Sequence, residues 1–154
     1  IKNMRSILNS LIEWGQRERD PVIITEQVRR GLFEQICHQH THQKKLWVYV
    51  MSLEVEQLIR ESTRSDGNST FIDMDASSIS QIVDLIERQI KPHLSGPFLP
   101  GIICSIDSRV FVRQIIEDQL FQIPVLSHQE ISSNFQIKIL GNIQLDEQLN
   151  PYSE

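Results

Sequence analysis

Apolar positions in the N-terminal part of the chain recur at the spacing of a buried helix face. Over residues 1–14 they fall three and four apart, and Gly15 follows, as glycine often does at the end of a helix. Asp20 and Pro21 are typical of the N-cap and first position of a second helix, which the four-residue spacing of its apolar residues extends to about Cys37. Two helices alone cannot bury these faces, so the pattern requires a third element, either outside this sequence or supplied by the residues that follow.

A polar bridge over residues 38–45 separates these helices from a stretch with a different periodicity. Runs of strand length alternate there with amphipathic helices as far as residue 145. The predicted strands cover residues 46–51, 70–74, 102–106, 123–126 and 135–140, with a turn at residues 65–68 before the second. The first predicted helix covers residues 54–64. A longer helix begins at a cap formed by Asp75, Ser77 or Ser78 and ends at the loop that starts at Pro92. The third helix is capped by Asp107 or Ser108. The alternation predicts an α/β domain of two or three layers.

The strand patterns also predict positions within the sheet. Residues 102–106 are apolar and β-branched, which is typical of a central buried strand, whereas the early Pro124 favours an edge strand or the first position of a strand. Residues 135–140 alternate and should be half exposed. Because the last strands are close in sequence, we expect a mixed sheet of about four strands. The predicted organisation is a truncated helical subdomain over residues 1–43, an α/β subdomain over residues 44–145 and a flexible acidic tail over residues 146–154.

Composition and charge narrow the class of protein. Of the 154 residues, 40% are hydrophobic, which is enough for a packed core, and no apolar run approaches the roughly 20 residues that cross a bilayer. The net charge of −5 argues against nucleic acid as a partner. Residues 1–45 carry eight Lys/Arg against five Asp/Glu, and residues 46–154 carry seven against fifteen, so the two parts are complementary in charge. Cys37 and Cys104 lie in apolar runs and are predicted to be reduced thiols.

One group of residues near the bridge carries the ligand types that suit zinc. The group is Cys37, His38, His40 and His42. A tetrahedral site needs ligands from two fixed elements, and alternate residues of one linker do not supply them. We therefore predict neither a metal site nor a cofactor.

The residues that could suggest catalysis have simpler explanations. Ser127 precedes His128, but neighbours on a strand face opposite sides and cannot form the hydrogen bond that activates a nucleophile. Asp73 and Asp75 resemble a carboxylate pair, yet helix capping accounts for Asp75. Glycine-rich phosphate loops and the H-E-x-x-H motif are absent from the sequence. Two competing hypotheses remain: a small hydrolase-like α/β enzyme that uses Ser127 or Cys104, and a regulatory module that binds a small ligand at the strand ends.

The basic residues of the N-terminal part have two explanations. They are Arg5, Arg17, Arg19, Arg29 and Arg30. The usual explanation of such a run is a solvated face. The alternative is contact with the acidic part of a neighbouring copy, which opposite electrostatic potentials would steer.

Several segments follow one known pattern in order and with its spacing. Residues 4–15 (MRSILNSLIEWG) and 20–29 (DPVIITEQVR) follow a stretch of the form RxILexLxxw…DPxxLtExVR. Residues 53–60, 102–113 and 124–131 match the continuation of the same pattern. The last of these segments matches VLSyxEI, which precedes a final strand. In these segments the chain resembles the export-gate family of bacterial type III secretion, which includes the flagellar export gate FlhA and its injectisome relatives.

The resemblance implies a membrane protein whose cytoplasmic region has four subdomains and assembles into a nine-membered ring. Residues 13–15 are closer to the virulence-associated injectisome branch. The chain would be the end of the helical third subdomain and the whole α/β fourth subdomain, at the cytoplasmic face of the bacterial inner membrane. The membrane would be reached only through N-terminal segments outside this sequence.

The resemblance also implies a role in protein transport without enzymatic activity. The chain would belong to a docking ring that receives chaperone–substrate complexes and passes secreted proteins to the membrane channel. The resemblance implies that copies of the chain form a homo-nonamer in the full protein. The other implied partners are chaperone–substrate complexes, the ATPase complex and gatekeeper proteins. Because the family's ring contacts involve the helical subdomain, the self-association surface is expected on residues 1–37. Its candidate residues are Arg17, Arg19, Asp20, Glu26, Arg29 and Arg30, and residues 38–45 are a candidate hinge between ring states.

Overall fold

The described part of the chain forms two helices followed by a parallel α/β unit. The computed structural model describes residues 2–30, 32, 45–96, 98–131 and 136–146. The first helices are α1 (Lys2–Gly15) and α2 (Pro21–Arg30). The elements that follow are β1 (Lys45–Met51), α3 (Leu53–Glu61), β2 (Thr63–Ser65), β3 (Thr70–Ile72), α4 (Ala76–Leu94), β4 (Gly101–Cys104), α5 (Ile106–Ile116), β5 (Val125–Ser127), a 3-10 turn (His128–Glu130) and β6 (Gln136–Ile143). The predicted α/β class is confirmed.

The N-terminal helices begin and end at the predicted capping residues. Helix α1 ends at Gly15, and α2 starts at Pro21 directly after Asp20. The predicted end of α2 near Cys37 lies outside the described residues. The apolar face of α1 is only partly packed, since four of its residues are 42% to 64% exposed: Met4, Leu8, Leu11 and Ile12.

Among the described residues, the main sheet has four strands in the order β5-β4-β1-β6. Every neighbouring pair is parallel, so the expected number of strands is confirmed, but the sheet is parallel rather than mixed. After β5 the chain crosses to the far side of β1 before it enters β6, and closeness in sequence therefore does not produce an antiparallel pair. As predicted, β4 is central and fully buried, and β5 lies at an edge.

A small hairpin separates α3 from α4. Helix α3 ends at Glu61 rather than near Arg64, because Thr63–Ser65 pairs antiparallel with Thr70–Ile72. The predicted turn lies between these strands. Its Gly67 has a φ of +88°, in the left-handed region that glycine adopts without strain.

Two helix boundaries also differ from the sequence prediction. Helix α4 continues through Pro92 to Leu94, because a proline in the last turn removes only one helical hydrogen bond. Helix α5 has Ser105 at its N-cap position, ahead of the predicted caps Asp107 and Ser108.

Buried apolar side chains lie on both faces of the main sheet. One face packs against α3, α4 and α5, and its strand residues include Tyr49, Ile102 and Val125. The other face carries a smaller buried cluster of Leu46, Val48, Ile103 and Leu126. The three described helices of the α/β part thus form one layer on one side of the sheet.

Strand β6 is more exposed than its alternating sequence predicts. Residues 136–139 are exposed at every position, and Ile143 is the one fully buried residue of the strand. The contacts between β6 and α4 lie at the C-terminal end of the strand. There the side chain of Gln89 and the backbone of Gln144 exchange two hydrogen bonds of 2.8 and 3.1 Å. The first half of β6 is therefore exposed on both faces of the sheet.

Candidate assembly interface

Asp20 joins the start of α2 to the hairpin of the α/β part. One carboxylate oxygen, Oδ1, accepts a hydrogen bond from the backbone N–H of Val22 at 2.9 Å, which caps the helix as predicted. The other, Oδ2, accepts from the hydroxyl of Thr70 in β3 at 2.6 Å. Asp20 is buried, so its carboxylate serves a contact within the chain.

Glu26 forms a bidentate ion pair with Arg109 of α5. Arg109 Nε lies 3.0 Å from Glu26 Oε2, and Arg109 Nη2 lies 2.7 Å from Glu26 Oε1. The side chains are only 7% and 13% exposed, respectively. Such a two-bond pair fixes the orientation of both groups, and it fastens the middle of α2 to α5.

Arg29 pairs with Glu130, which follows β5 in the 3-10 turn. The guanidinium contacts the Glu130 carboxylate through Nε, and Arg29 Nη2 donates to Glu130 Oε2 at 3.4 Å. Glu130 is 3% exposed, and its Oε2 also accepts from the backbone N–H of Ser127 at 2.8 Å. The pair ties the last turn of α2 to the end of β5.

Both arginines also bind one backbone carbonyl of the edge strand β5. Arg29 Nη2 and Arg109 Nη1 each lie 3.1 Å from the carbonyl oxygen of Val125. The preceding carbonyl, of Pro124, accepts from the backbone N–H of Ile102 in β4, and the carbonyls of successive strand residues point to opposite edges. The Val125 carbonyl therefore faces the outer edge of the sheet, which the two guanidinium groups cover.

The two guanidinium groups differ in their electrostatic balance. Burial lowers the pKa of Arg29 from its ordinary value, and the nearby charge of Arg109 lowers it further. Burial also disfavours the charged form of Arg109, but the hydrogen bonds and the charge of Glu26 outweigh it and raise its pKa. Both groups are cations at neutral pH, and the two buried carboxylates balance them.

The remaining candidates for self-association lie outside this network. Arg17 follows α1, its side chain is 68% exposed, and Nη1 lies 4.0 Å from Glu13. Arg19 is exposed in the loop before α2. The side chain of Arg30 lies outside the described part of the structure. Among the candidates with described side chains, the structure brings Asp20, Glu26 and Arg29 together against the α/β part and leaves the other two at the surface.

Sequence reasoning did not find Arg109 and Glu130 as partners of this network. Arg109 shares an apolar stripe of α5 with Val112 and Ile116, and a charge on such a stripe signals a buried partner. Glu130 stands three residues after Ser127, the spacing of a capping box, which indicates a local structural role. Neither signal identifies the residue on α2 that completes the pair.

The side chains of the hydrolase-like hypothesis are not accessible. Ser127 and Cys104 are both fully buried, while His128 is exposed and lies in the 3-10 turn rather than on the strand with Ser127. Cys104 Sγ lies 3.8 Å from the carbonyl oxygen of Leu126, and burial together with the charge of Glu56 raises the pKa of this thiol strongly. The arrangement offers no exposed nucleophile at either position.

Cys104 should therefore resist alkylation in the native state. We expect iodoacetamide at pH 8 to modify it at least about 100-fold more slowly in native protein than in urea, because neither access nor thiolate is available. Mass spectrometry of the peptide that contains Cys104 measures this separately from Cys37. Equal rates in the two conditions would show that the thiol is accessible and reactive.

A second buried carboxylate, Glu56, binds the start of α5. It accepts hydrogen bonds from the backbone N–H of Ser105 and, at 2.9 Å, from the hydroxyl of Ser108. The N-terminus of a helix favours a negative charge, so Glu56 stabilises the docking of α3 on α5. These bonds occupy the carboxyl end of β4.

The described segments hold neither a metal-binding cluster nor a membrane-spanning helix. These residues contain no cluster of three or more His, Cys, Asp or Glu side chains that could hold a metal ion, and the Cys and His residues of the segment 37–42 lie outside them. None of their helices combines the length and apolar character needed to span a bilayer.

The family match covers most of the chain. Residues 1–136 match the FHIPEP family. The chain belongs to the FHIPEP family. The match confirms the resemblance found in the sequence.

Among FHIPEP relatives, the low calcium response locus protein D of Yersinia pestis is 33% identical over 146 residues, which is 94% of this chain and 21% of that protein. The chain thus spans about a fifth of the length of the curated relatives it matches. FHIPEP proteins are secretion export proteins rather than enzymes, which removes the support for the hydrolase-like hypothesis.

Solved FHIPEP structures share the fold. The Chlamydia pneumoniae CdsV protein has a TM-score of 0.80 and 34% identity, covering 94% of this chain and 41% of that one. A complex of CdsV with CdsO has also been solved. The nonameric SctV-C of EPEC has a TM-score of 0.74 and 28% identity, covering 90% of this chain and 42% of that one.

Proposed function

We propose that this chain is part of the cytoplasmic docking ring of a type III secretion export gate, at the inner membrane of a bacterium. The ring would receive chaperone–substrate complexes and pass secreted proteins to a membrane channel. The observation that carries the proposal is the likeness, over 90% of the chain, to a protein that assembles as a nonamer. The energy would come from other components, because the sequence has no nucleotide-binding loop.

The ion network supports a scaffold in which the helical and α/β parts act together. Glu26–Arg109 and Arg29–Glu130 hold α2 against β5 and α5. The proposed organisation of the chain is a helical subdomain over residues 1–43, an α/β subdomain over residues 44–145 and an acidic tail over residues 146–154. The two ion pairs join residues before the candidate hinge, residues 38–45, to residues after it. A hinge movement that separates α2 from α5 would therefore have to break them. Apart from Lys45, the candidate hinge lies outside the described segments.

For self-association, Arg17 and Arg19 are the best candidates, because they are exposed while Asp20, Glu26 and Arg29 are engaged within the chain. They would meet acidic residues of the neighbouring copy, since the α/β part carries the negative charge of the sequence. Head-to-tail contacts of this kind generate closed rings when the rotation between neighbouring copies closes.

Reversing these two charges should weaken ring formation. We expect Arg17→Glu with Arg19→Glu to lower the association constant of the cytoplasmic region of the longer protein about tenfold at low salt, and salt to weaken the wild-type ring. Sedimentation velocity measures both effects. Arg60→Glu with Lys91→Glu, an equal charge change at exposed positions of α3 and α4, is the matched control and should leave assembly unchanged. Identical distributions for all three proteins at every salt concentration would contradict a role for these arginines.

Partners other than further copies are proposed on the same basis. The CdsV–CdsO complex supports a partner from within the secretion machinery. Chaperone–substrate complexes, the ATPase complex and gatekeeper proteins are the remaining proposed partners. Pull-down of these components by the intact cytoplasmic region, with the Arg17→Glu and Arg19→Glu protein alongside, would separate contacts that need the ring from contacts with one copy.

A further inference from the structure

The two edges of the main sheet differ in how they are protected. At the β5 edge, Arg29 and Arg109 bind the outward carbonyl of Val125. At the other edge, β6 pairs with β1 on one side only, from Lys45↔Gln136 to Met51↔Ile143, and no strand pairs with its outer side in the described part of the chain. An exposed strand edge presents unpaired backbone groups that can bind another extended segment.

One face of the β6 edge is apolar. Ile137 and Ile139 are 43% and 62% exposed. They stand beside Leu46 and Val48 of β1, which are buried in the smaller core cluster. A strand added along β6 would cover both isoleucines and extend this apolar surface by one strand.

The opposite face of the edge is basic and aromatic. Lys138 lies over the ring of Trp47, with Nζ 4.7 Å from the ring centroid, so its charge is held at a fixed place. A groove of about 410 Å³ is lined here by Lys45, Trp47, Gln136, Ile137 and Lys138. A neighbouring groove of about 340 Å³ is lined by Trp47, Pro92, His93, Gly96, Phe98 and Leu140. Neither groove has an acidic lining residue among those described.

We propose that the β6 edge docks an extended segment of a partner protein, in which apolar and acidic residues alternate, as a fifth strand of the main sheet. In an added strand, successive side chains point to opposite faces. Apolar residues would then cover Ile137 and Ile139, and acidic residues would face Lys138 and Lys45. This proposal goes beyond ring formation, because it needs only one copy of the chain.

Charge argues for this partner over a second copy of the chain. Lys138 stands out in a part of the sequence, residues 46–154, that carries seven basic against fifteen acidic residues, and Lys45 directly precedes that part. Pairing of β6 with β6 of another copy would bring the lysines of both edges into the same narrow surface, and like charges across a strand pair are destabilising. An acidic, extended segment removes that repulsion.

The test uses an eight-residue, fluorescein-labelled peptide in which valine and glutamate alternate, titrated with the 154-residue chain and followed by fluorescence anisotropy. We expect saturable binding. Two control peptides should bind at least about tenfold more weakly. One has lysine in place of each glutamate, and the other carries N-methyl groups on all backbone amides, which removes the donors of an added strand in either direction.

Two variants of the protein place the binding on β6. Lys138→Glu should weaken binding of the glutamate peptide about tenfold and improve binding of the lysine peptide, because the charge that faces the ligand is reversed. Arg60→Glu, with the same charge change on α3, should leave both affinities unchanged, and circular dichroism checks that both variants are folded. Three results would overturn the proposal: no binding, equal binding of the N-methylated peptide, or equal weakening by the two variants. Dimerisation that depends on β6, without peptide binding, would assign the edge to a second copy instead.

Discussion

Replacing Arg109 with alanine is expected to lower the free energy of unfolding by about 3–5 kcal/mol, the cost of breaking a buried ion pair by removing one partner. The substitution leaves the Glu26 carboxylate, 13% exposed, without the guanidinium that now binds it through two hydrogen bonds. It also removes one of the two arginine donors to the Val125 carbonyl. Urea denaturation followed by tryptophan fluorescence and circular dichroism measures the loss.

The controls for Arg109 distinguish the ion pair from the loss of any arginine. Arg60→Ala, on the exposed face of α3, should change stability by less than about 0.5 kcal/mol. Arg109→Met combined with Glu26→Leu should recover much of the loss, because no buried charge then lacks a partner. A loss for Arg109→Ala as small as that for Arg60→Ala would mean that the pair does not hold α2 to α5.

Replacing Glu56 with alanine is the second large effect, and we expect it to cost roughly 2–3 kcal/mol. The carboxylate is 3% exposed and accepts hydrogen bonds from the Ser105 N–H and the Ser108 hydroxyl, which would lose their acceptor at the start of α5. The measurement is the same denaturation experiment. Glu54→Ala, two residues earlier on the same helix and exposed, is the matched control and should have little effect. Equal losses for the two variants would argue against a structural role for Glu56.

Much of the local structure follows from the sequence because its signals are local. Gly15, Asp20 and Pro21 fix the helix boundaries through capping, and the apolar run of β4 identifies a buried central strand. The direction of a strand, by contrast, has no local signal in the sequence. Since direction depends on where the chain crosses after β5, the pattern of residues 135–140 gives no sign that β6 lies parallel to β1 at the far edge.

The short elements and the charged contacts were the least predictable. Thr63–Ser65 is three residues long and follows a helix, so its periodicity cannot separate a strand from a last helical turn. Charged residues of α2 show the same limit. Glu26 and Arg29 look like a solvated or intermolecular surface in sequence, because their partners are Arg109 and Glu130, about 80 to 100 residues away.

The most direct test of the export-gate proposal is the mass of the particle that the cytoplasmic region of the longer protein forms. Mass photometry over a range of protein and salt concentrations would measure it. The proposal predicts a species of nine copies, as in the nonameric SctV-C, that dissociates as salt rises. Monomers alone at every concentration and at the lowest salt would contradict it.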